Sequence, residues 1–166
     1  RSGEVRAMTW DEVDLTDCVW TVPAERMKAN AAHRVPLSAR AIEILEGQKE
    51  MAGHPDLVFP SQGGSVPSDM ILTKFLRDQK IASSEKGRIA VAHGFRASFR
   101  DWASENGYSR DYAERALAHT ISNQTEAAYH RTDLLDQRRG MMNAWAQFVC
   151  GMGATDDNIV PLKERA

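Results

Sequence analysis

Three segments in the second half of the chain carry groups that can do chemistry together: His93-Gly94-Phe95-Arg96, Leu117-Ala118-His119 and Ala127-Ala128-Tyr129-His130-Arg131. They supply guanidinium cations, imidazoles and a phenol, a set suited to breaking a phosphodiester without a metal. An attacked phosphodiester concentrates negative charge on its two non-bridging oxygens, and planar guanidinium groups can fork onto them. A phenol alone is a poor nucleophile: with a reference pKa of about 10, roughly one molecule in a thousand is ionised at neutral pH. A unit positive charge about 4 Å away is worth roughly 4 kcal/mol at an effective dielectric of 20, on the order of three pKa units, and largely closes that gap.

Charge distribution matters more here than its sum. The net charge is −2, whereas an isolated nucleic-acid-binding domain is usually basic overall. From Glu4 to Asp17 the chain carries Glu4, Asp11, Glu12, Asp14 and Asp17 against Arg6, while the stretch from Lys74 to Arg100 holds Lys74, Arg77, Lys80, Lys86, Arg88, Arg96 and Arg100 against Asp78 and Glu85. Arg26, Lys28, His33 and Arg34 also lie close together. A basic face on a weakly acidic body is expected, because local field attracts phosphates; ordinary solvated surface charge is the plain alternative.

Other chemistries find little support. The chain has no GxxxxGK[ST] loop, HExxH, paired CxxC or GxSxG elbow. Asp11, Glu12, Asp14 and Asp17 could be read as a two-metal nuclease cluster. Their alternation with Val13 and Leu15 fits a half-buried strand with solvated carboxylates better, so no metal and no cofactor is expected. Cys18 and Cys150 are isolated thiols and receive no role. No stretch approaches the run of about 18 apolar residues that a membrane span needs, and no apolar leader opens the chain, so a cytoplasmic protein with no membrane partner is expected.

The elements that must position these groups can be read from periodicity. The 166 residues, 42% of them apolar, fit one α+β, mainly helical domain with a small antiparallel sheet. Glu4 to Met8 reads as the continuation of a helix. Val13 to Leu15, Val19 to Val22 and His33 to Leu37 read as strands, the last two joined by a loop around Met27 to Ala31. Ser38 should cap a helix from Ala39 to Met51, with Ile42, Leu45 and Met51 on its apolar stripe. Leu57-Val58-Phe59 reads as a short buried extension, Ser68-Asp69 as the cap of a helix to Lys80, and Ser83 to Arg88 as a polar, mobile stretch. From His93 to Asn106, Phe95, Phe99 and Trp102 recur at helical spacing, while His93, Arg96 and Arg100 share another face. Gly107 ends this helix, and further helices are expected from Ser109 to Ala118, Thr125 to Arg131 and Leu134 to Val149. In the remaining tail, Asn158 to Leu162 could form an edge strand.

Taken in order, these segments resemble the catalytic domain of a tyrosine recombinase of the phage and genomic-island integrase kind. The resemblance rests on Arg1-Ser2-Gly3-Glu4-Val5-Arg6 followed by Trp10, on Arg26-Met27-Lys28 before Val35-Pro36-Leu37-Ser38, on His93-Gly94-Phe95-Arg96, on Ala116-Leu117-Ala118-His119 and on Ala128-Tyr129-His130-Arg131. It implies a catalytic domain over 1–150, with its N-terminal part missing, and a tail over 151–166. It implies that Arg1 and Arg96 hold the scissile phosphate and that Tyr129 is the nucleophile. Lys28 matches the hairpin lysine, a candidate general acid for the departing sugar oxygen. His93 and His119 match the two remaining active-site positions, and the sequence does not divide proton acceptance from phosphate contact between them. Tyr108 and Tyr112 compete with Tyr129 on composition but precede His119, whereas the family's nucleophile follows it.

Glu4 is expected to orient or neutralise a nearby cation, and Arg26, Arg34, Arg88 and Arg100 to contact DNA. The implied reaction is site-specific recombination or integration through a 3'-phosphotyrosine intermediate, which keeps the energy of the broken bond and needs no nucleotide cofactor. The implied partners are double-stranded DNA attachment sites, other recombinase protomers and accessory DNA-bending proteins, in a bacterial or phage-encoded, nucleoid-associated setting. A second reading is a non-catalytic fragment that binds DNA or a partner.

Overall fold

A computed structural model describes residues 1–51, 53–119 and 132–151. A short helix, α1 (Ser2–Arg6), leads into a three-stranded antiparallel sheet of β1 (Val13–Asp14), β2 (Val19–Val22) and β3 (His33–Pro36), in that spatial order. Five helices follow among the described residues: α2 (Ala39–Glu50), α3 (Ile71–Asp78), α4 (Gly94–Glu105), α5 (Arg110–Ala116) and α6 (Leu135–Val149). The expected helix from Thr125 to Arg131 and the edge strand from Asn158 to Leu162 lie outside the described residues.

The sheet has the pattern its β-branched and aromatic residues dictate. Val19, Trp20 and Val22 are buried while Thr21 is exposed, and Trp20 pairs with Val13 on one side and Val35 on the other. The first core lies here: Met8, Trp20, Val22, Met27, Leu45 and Val58 are buried together, with Ala118 packed against them. Val58 enters through the predicted short extension, its N–H donating to the Met8 carbonyl at 3.0 Å. The α2 helix starts as expected, with Ser38 Oγ accepting from the Ala41 N–H at 3.3 Å. It buries Leu45 but leaves Met51, which was expected on the stripe, 67% exposed at its C-cap.

The second core is helical. Phe99, Trp102 and Ala103 of α4 pack with Ala113, Leu117 and Met141. Phe95, one turn earlier on the predicted apolar face, is instead 52% exposed, so the buried stripe of α4 begins only at Phe99. Gly107, at φ 73°, supplies the left-handed residue that ends α4 and lets the chain turn into α5. Ser109 caps α5, its Oγ accepting from the Asp111 N–H at 3.2 Å. The Ser83 to Arg88 stretch is a turn closed by the Ala82–Ile89 bridge, with the Ser83 N–H donating to the Arg88 carbonyl at 2.9 Å. Local backbone bonding that composition does not reveal therefore orders it.

Strand β3 is tied to α6 through Asp133. Arg34 forks onto its carboxylate with two bonds of 2.8 Å, and the buried Arg138 donates through Nε to its carbonyl at 2.8 Å. Beside this junction, burial and then the Arg138 charge hold the His33 imidazole below its ordinary value, outweighing a hydrogen bond to the Ala116 backbone and the pull of Glu4. The unfolded chain therefore takes up a proton at higher pH than the folded one. Stability from this group is full above about pH 6.5 and is lost as pH falls through the lower folded value. A fall in the thermal midpoint between about pH 7 and pH 5 is expected, shallower in His33→Gln. An unchanged slope in that variant would refute the assignment.

Candidate active site

The site sits where the two cores meet, because the two residues after α5 face different ways: Leu117 belongs to the helical core and Ala118 packs against the sheet core. An α-helix leaves its last carbonyls without intrahelical partners, at the negative end of the helix dipole. Here Arg96 donates through Nη2 to the Leu117 carbonyl at 2.5 Å, and Arg1 donates through Nη2 to the Ala118 carbonyl at 3.3 Å. Ala118 adopts φ 49°, a left-handed conformation that costs a non-glycine residue energy and turns its carbonyl away from the helix path. Two arginines that are 95 positions apart are thereby seated on consecutive carbonyls.

Glu4 fixes Arg1 from the other side, its Oε1 2.7 Å from Arg1 Nη1 and its Oε2 2.9 Å from the Arg1 backbone nitrogen. Burial pushes the Glu4 carboxyl up, while the hydrogen bond and charge of the Arg1 guanidinium pull it down. At Arg96, burial and the Arg1 charge act together to lower the pKa, with Glu4 opposing them. Arginine stays charged regardless. The repulsion records that the two cations share one electrostatic site, suited to a dianionic or trigonal-bipyramidal oxyanion.

Two clefts adjoin at Arg1. One, of about 670 Å³, is lined by Arg1, His93 and Arg96 together with apolar residues including Leu72, Phe75 and Phe95. The other, of about 450 Å³, is lined by Arg1, Lys28, Ala29, Glu114, Ala118 and His119. His93 occupies the N-cap position of α4, exposed to the first cleft. Lys28 lies in the β2–β3 connection, also exposed, where the Asn30 backbone at φ 50° reverses the chain. Of the six residues read as catalytic, Arg1, Lys28, His93, Arg96 and His119 are thus gathered around these clefts, and Tyr129 lies outside the described residues.

The other two tyrosines are packed away: Tyr108 stacks on Trp102 with ring centres 5.3 Å apart, and both Tyr108 and Tyr112 lie against the helical core. The four arginines read as DNA contacts each face a carboxylate. Arg26 bonds Glu12 and the Glu4 carbonyl, so it braces the hairpin against α1, while Glu12 also accepts from Trp20 Nε1 at 2.9 Å. Arg34 pairs with Asp133, and Arg88 pairs with Glu85 at 2.8 Å, both largely exposed. Exposed pairs of this kind are worth about 0–1 kcal/mol, so their guanidiniums can be turned to another anion at little cost. Arg100 is more enclosed, bonded to Glu114 at 2.7 Å.

Within the acidic opening, Asp14 Oδ1 accepts from the Thr16 and Asp17 amides at 2.9 Å, closing the β1–β2 turn. The sequence reading gave no role to Glu114, which joins Arg100 to His119. Its place, five residues before His119 in α5, was the available signal.

This arrangement of paired arginines, lysine hairpin and histidines accompanies a match of residues 1–134 to the family model described as the phage integrase family. The chain belongs to the phage integrase family. It is 36% identical over 149 residues to the prophage integrase IntA of Escherichia coli strain K12, covering 90% of this chain and 35% of that protein. It is 34% identical over 165 residues to the integrase of Enterobacteria phage P4, covering 90% and 37%, and 35% identical over 160 residues to the prophage integrase IntZ of Escherichia coli strain K12, covering 95% and 38%. The chain therefore spans little more than a third of the length of these relatives. No solved structure matches it significantly. The helical fold with a small three-stranded antiparallel sheet is the one expected of a phage integrase catalytic domain. Among the described residues, no helix is long and apolar enough to cross a membrane.

Proposed function

We propose that residues 1–150 are the catalytic domain of a tyrosine recombinase, which cuts and rejoins DNA attachment sites by transesterification. The observation that carries this reading is the seating of Arg1 and Arg96 on the adjacent carbonyls of Ala118 and Leu117, with Lys28, His93 and His119 around them. Arg1 is held through both terminal nitrogens and Arg96 through one, and each keeps further N–H groups to offer to a non-bridging phosphate oxygen. The Tyr129 oxygen attacks phosphorus and the bond to the 5' oxygen breaks, leaving a 3'-phosphotyrosine. The departing oxygen takes a proton from Lys28, and an imidazole receives the phenolic proton. Reversal with a different 5'-hydroxyl rejoins the strand and restores the tyrosine.

The same reading assigns double-stranded attachment sites and further protomers as partners, with accessory DNA-bending proteins where the sites must be folded. The tail over 151–166 lies beyond the catalytic unit. Incubation of the protein at its full natural length with attachment-site DNA nicked near the cleavage position tests the proposal. A covalent adduct that survives denaturation and disappears on proteolysis is expected. DNA binding with no adduct would favour a non-catalytic binding protein of this fold, and loss of cleavage on chelation would point to a metal nuclease.

Arg96→Lys should reduce adduct formation by about 10² to 10³ with DNA affinity changed far less, because a point charge cannot reproduce the planar fork and removal of one transition-state donor costs about that much. Cleavage at the unaltered rate would remove Arg96 from the phosphate site.

A further inference from the structure

At the wall of the second cleft, Arg100, Glu114 and His119 form a hydrogen-bonded chain of side chains. Arg100 Nε donates to Glu114 Oε1 at 2.7 Å, and Glu114 Oε2 lies 2.6 Å from His119 Nδ1. The backbone strengthens the pairing, since the His119 N–H donates to the Glu114 carbonyl at 2.9 Å. Arg100 is itself held by Ser104, with Nη1 donating to its Oγ at 2.5 Å. Glu114 and His119 both line the cleft that Arg1 and Lys28 share. Among the described residues, no hydrogen bond engages His119 Nε2.

From this geometry we propose that Glu114 is a positioning residue that fixes the tautomer and ring orientation of His119, anchored in turn by Arg100. The inference rests on the recombinase reading and deepens it. A carboxylate can only accept, so Nδ1 must carry the hydrogen and Nε2 is the nitrogen presented to the cleft. A neutral His119 then offers Nε2 as a proton acceptor. Once protonated, it offers Nε2–H to a phosphate oxygen, with the carboxylate stabilising the imidazolium in the way an orienting acid supports a catalytic histidine. Burial pushes the Glu114 carboxyl up, but hydrogen bonds from Arg100 and His119 outweigh it and keep the group below the ordinary carboxylate value. Arg100 therefore serves the site by holding the carboxylate, a part that surface charge on α4 did not reveal.

The test uses the full-length protein in wild-type, Glu114→Ala, Glu114→Gln, His119→Ala and Glu114→Ala/His119→Ala forms. Ring-nitrogen NMR of histidine-labelled protein reads the tautomer directly and does not depend on activity. The expected wild-type spectrum shows His119 with hydrogen on Nδ1, moving toward the Nε2 form in Glu114→Ala.

Cleavage of nicked DNA should fall by about tenfold to a hundredfold in Glu114→Ala at unchanged DNA affinity, with partial rescue in Glu114→Gln, whose amide oxygen still accepts. The double variant should be no slower than His119→Ala, because the carboxylate acts only through the imidazole. An unchanged tautomer in Glu114→Ala, or losses that multiply in the double variant, would overturn the inference. If wild-type protein cleaves nothing, the recombinase reading falls, and the spectra alone decide whether Glu114 sets the His119 tautomer.

Discussion

Tyr129→Phe is expected to abolish the covalent DNA adduct while leaving non-covalent DNA affinity within about twofold of wild type. The substitution keeps the aromatic ring and removes one oxygen, so it removes the proposed nucleophile alone. The other two tyrosines are poorly placed to substitute: Tyr108 and Tyr112 lie against the helical core, with Tyr108 stacked on Trp102. The arginines that would hold the phosphate are untouched, and phosphate contacts supply most of the affinity. Denaturing electrophoresis of the variant with nicked DNA measures the adduct, and a filter-binding titration measures affinity. An adduct that persists would transfer the nucleophile to another residue. An adduct lost together with affinity would mean that the hydroxyl helps to bind DNA.

Trp102→Ala should cost about 3–5 kcal/mol of stability. Trp102 is buried and meets four aromatic rings, those of Phe99, Tyr108, Trp145 and Phe148, at centre distances of 5.2 to 6.3 Å. Pairs of this kind add about 0.5–1.5 kcal/mol each beyond burial. Against a typical total of about 5–15 kcal/mol, the loss is large. It also removes the platform on which α4 rests, and α4 carries His93 at its N-cap and Arg96 in its first turn. Urea denaturation followed by tryptophan fluorescence checks the stability, using the remaining tryptophans Trp10, Trp20 and Trp145. A loss below about 1 kcal/mol would show that this aromatic cluster repacks around the gap.

The sheet was legible because β-branched and aromatic residues cluster in runs as short as Val19–Val22, and the starts of α2 and α5 because Ser38 and Ser109 are N-caps with good chemistry. Spacing on α4 correctly separated Arg96 from Phe99 and Trp102. It misplaced Phe95, because helical periodicity identifies a stripe without saying where the neighbouring helix stops covering it. Met51 failed for a similar reason: it follows the last turn of α2, beyond the reach of the sheet core.

At the site, the residue types were visible in order along the chain, but the partners were not. Nothing in the spacing of Arg26 shows that Glu12 and the Glu4 carbonyl will take its guanidinium, and nothing around Arg100 distinguishes a DNA contact from a brace for Glu114. Those pairings depend on tertiary approach between segments separated by 14 positions or more.

The backbone from Leu117 to His119 makes the arginine pair and the imidazole mechanically interdependent. Leu117 and Ala118 each grip one guanidinium, and the next residue is the histidine. A displacement of this tripeptide by an ångström or two would loosen three working groups in a single motion, and its return would reset all three together. Under the recombinase proposal, catalytic competence follows the position of one short stretch of main chain as a switch follows its lever, leaving few half-assembled states in which a strand could be cut and not rejoined.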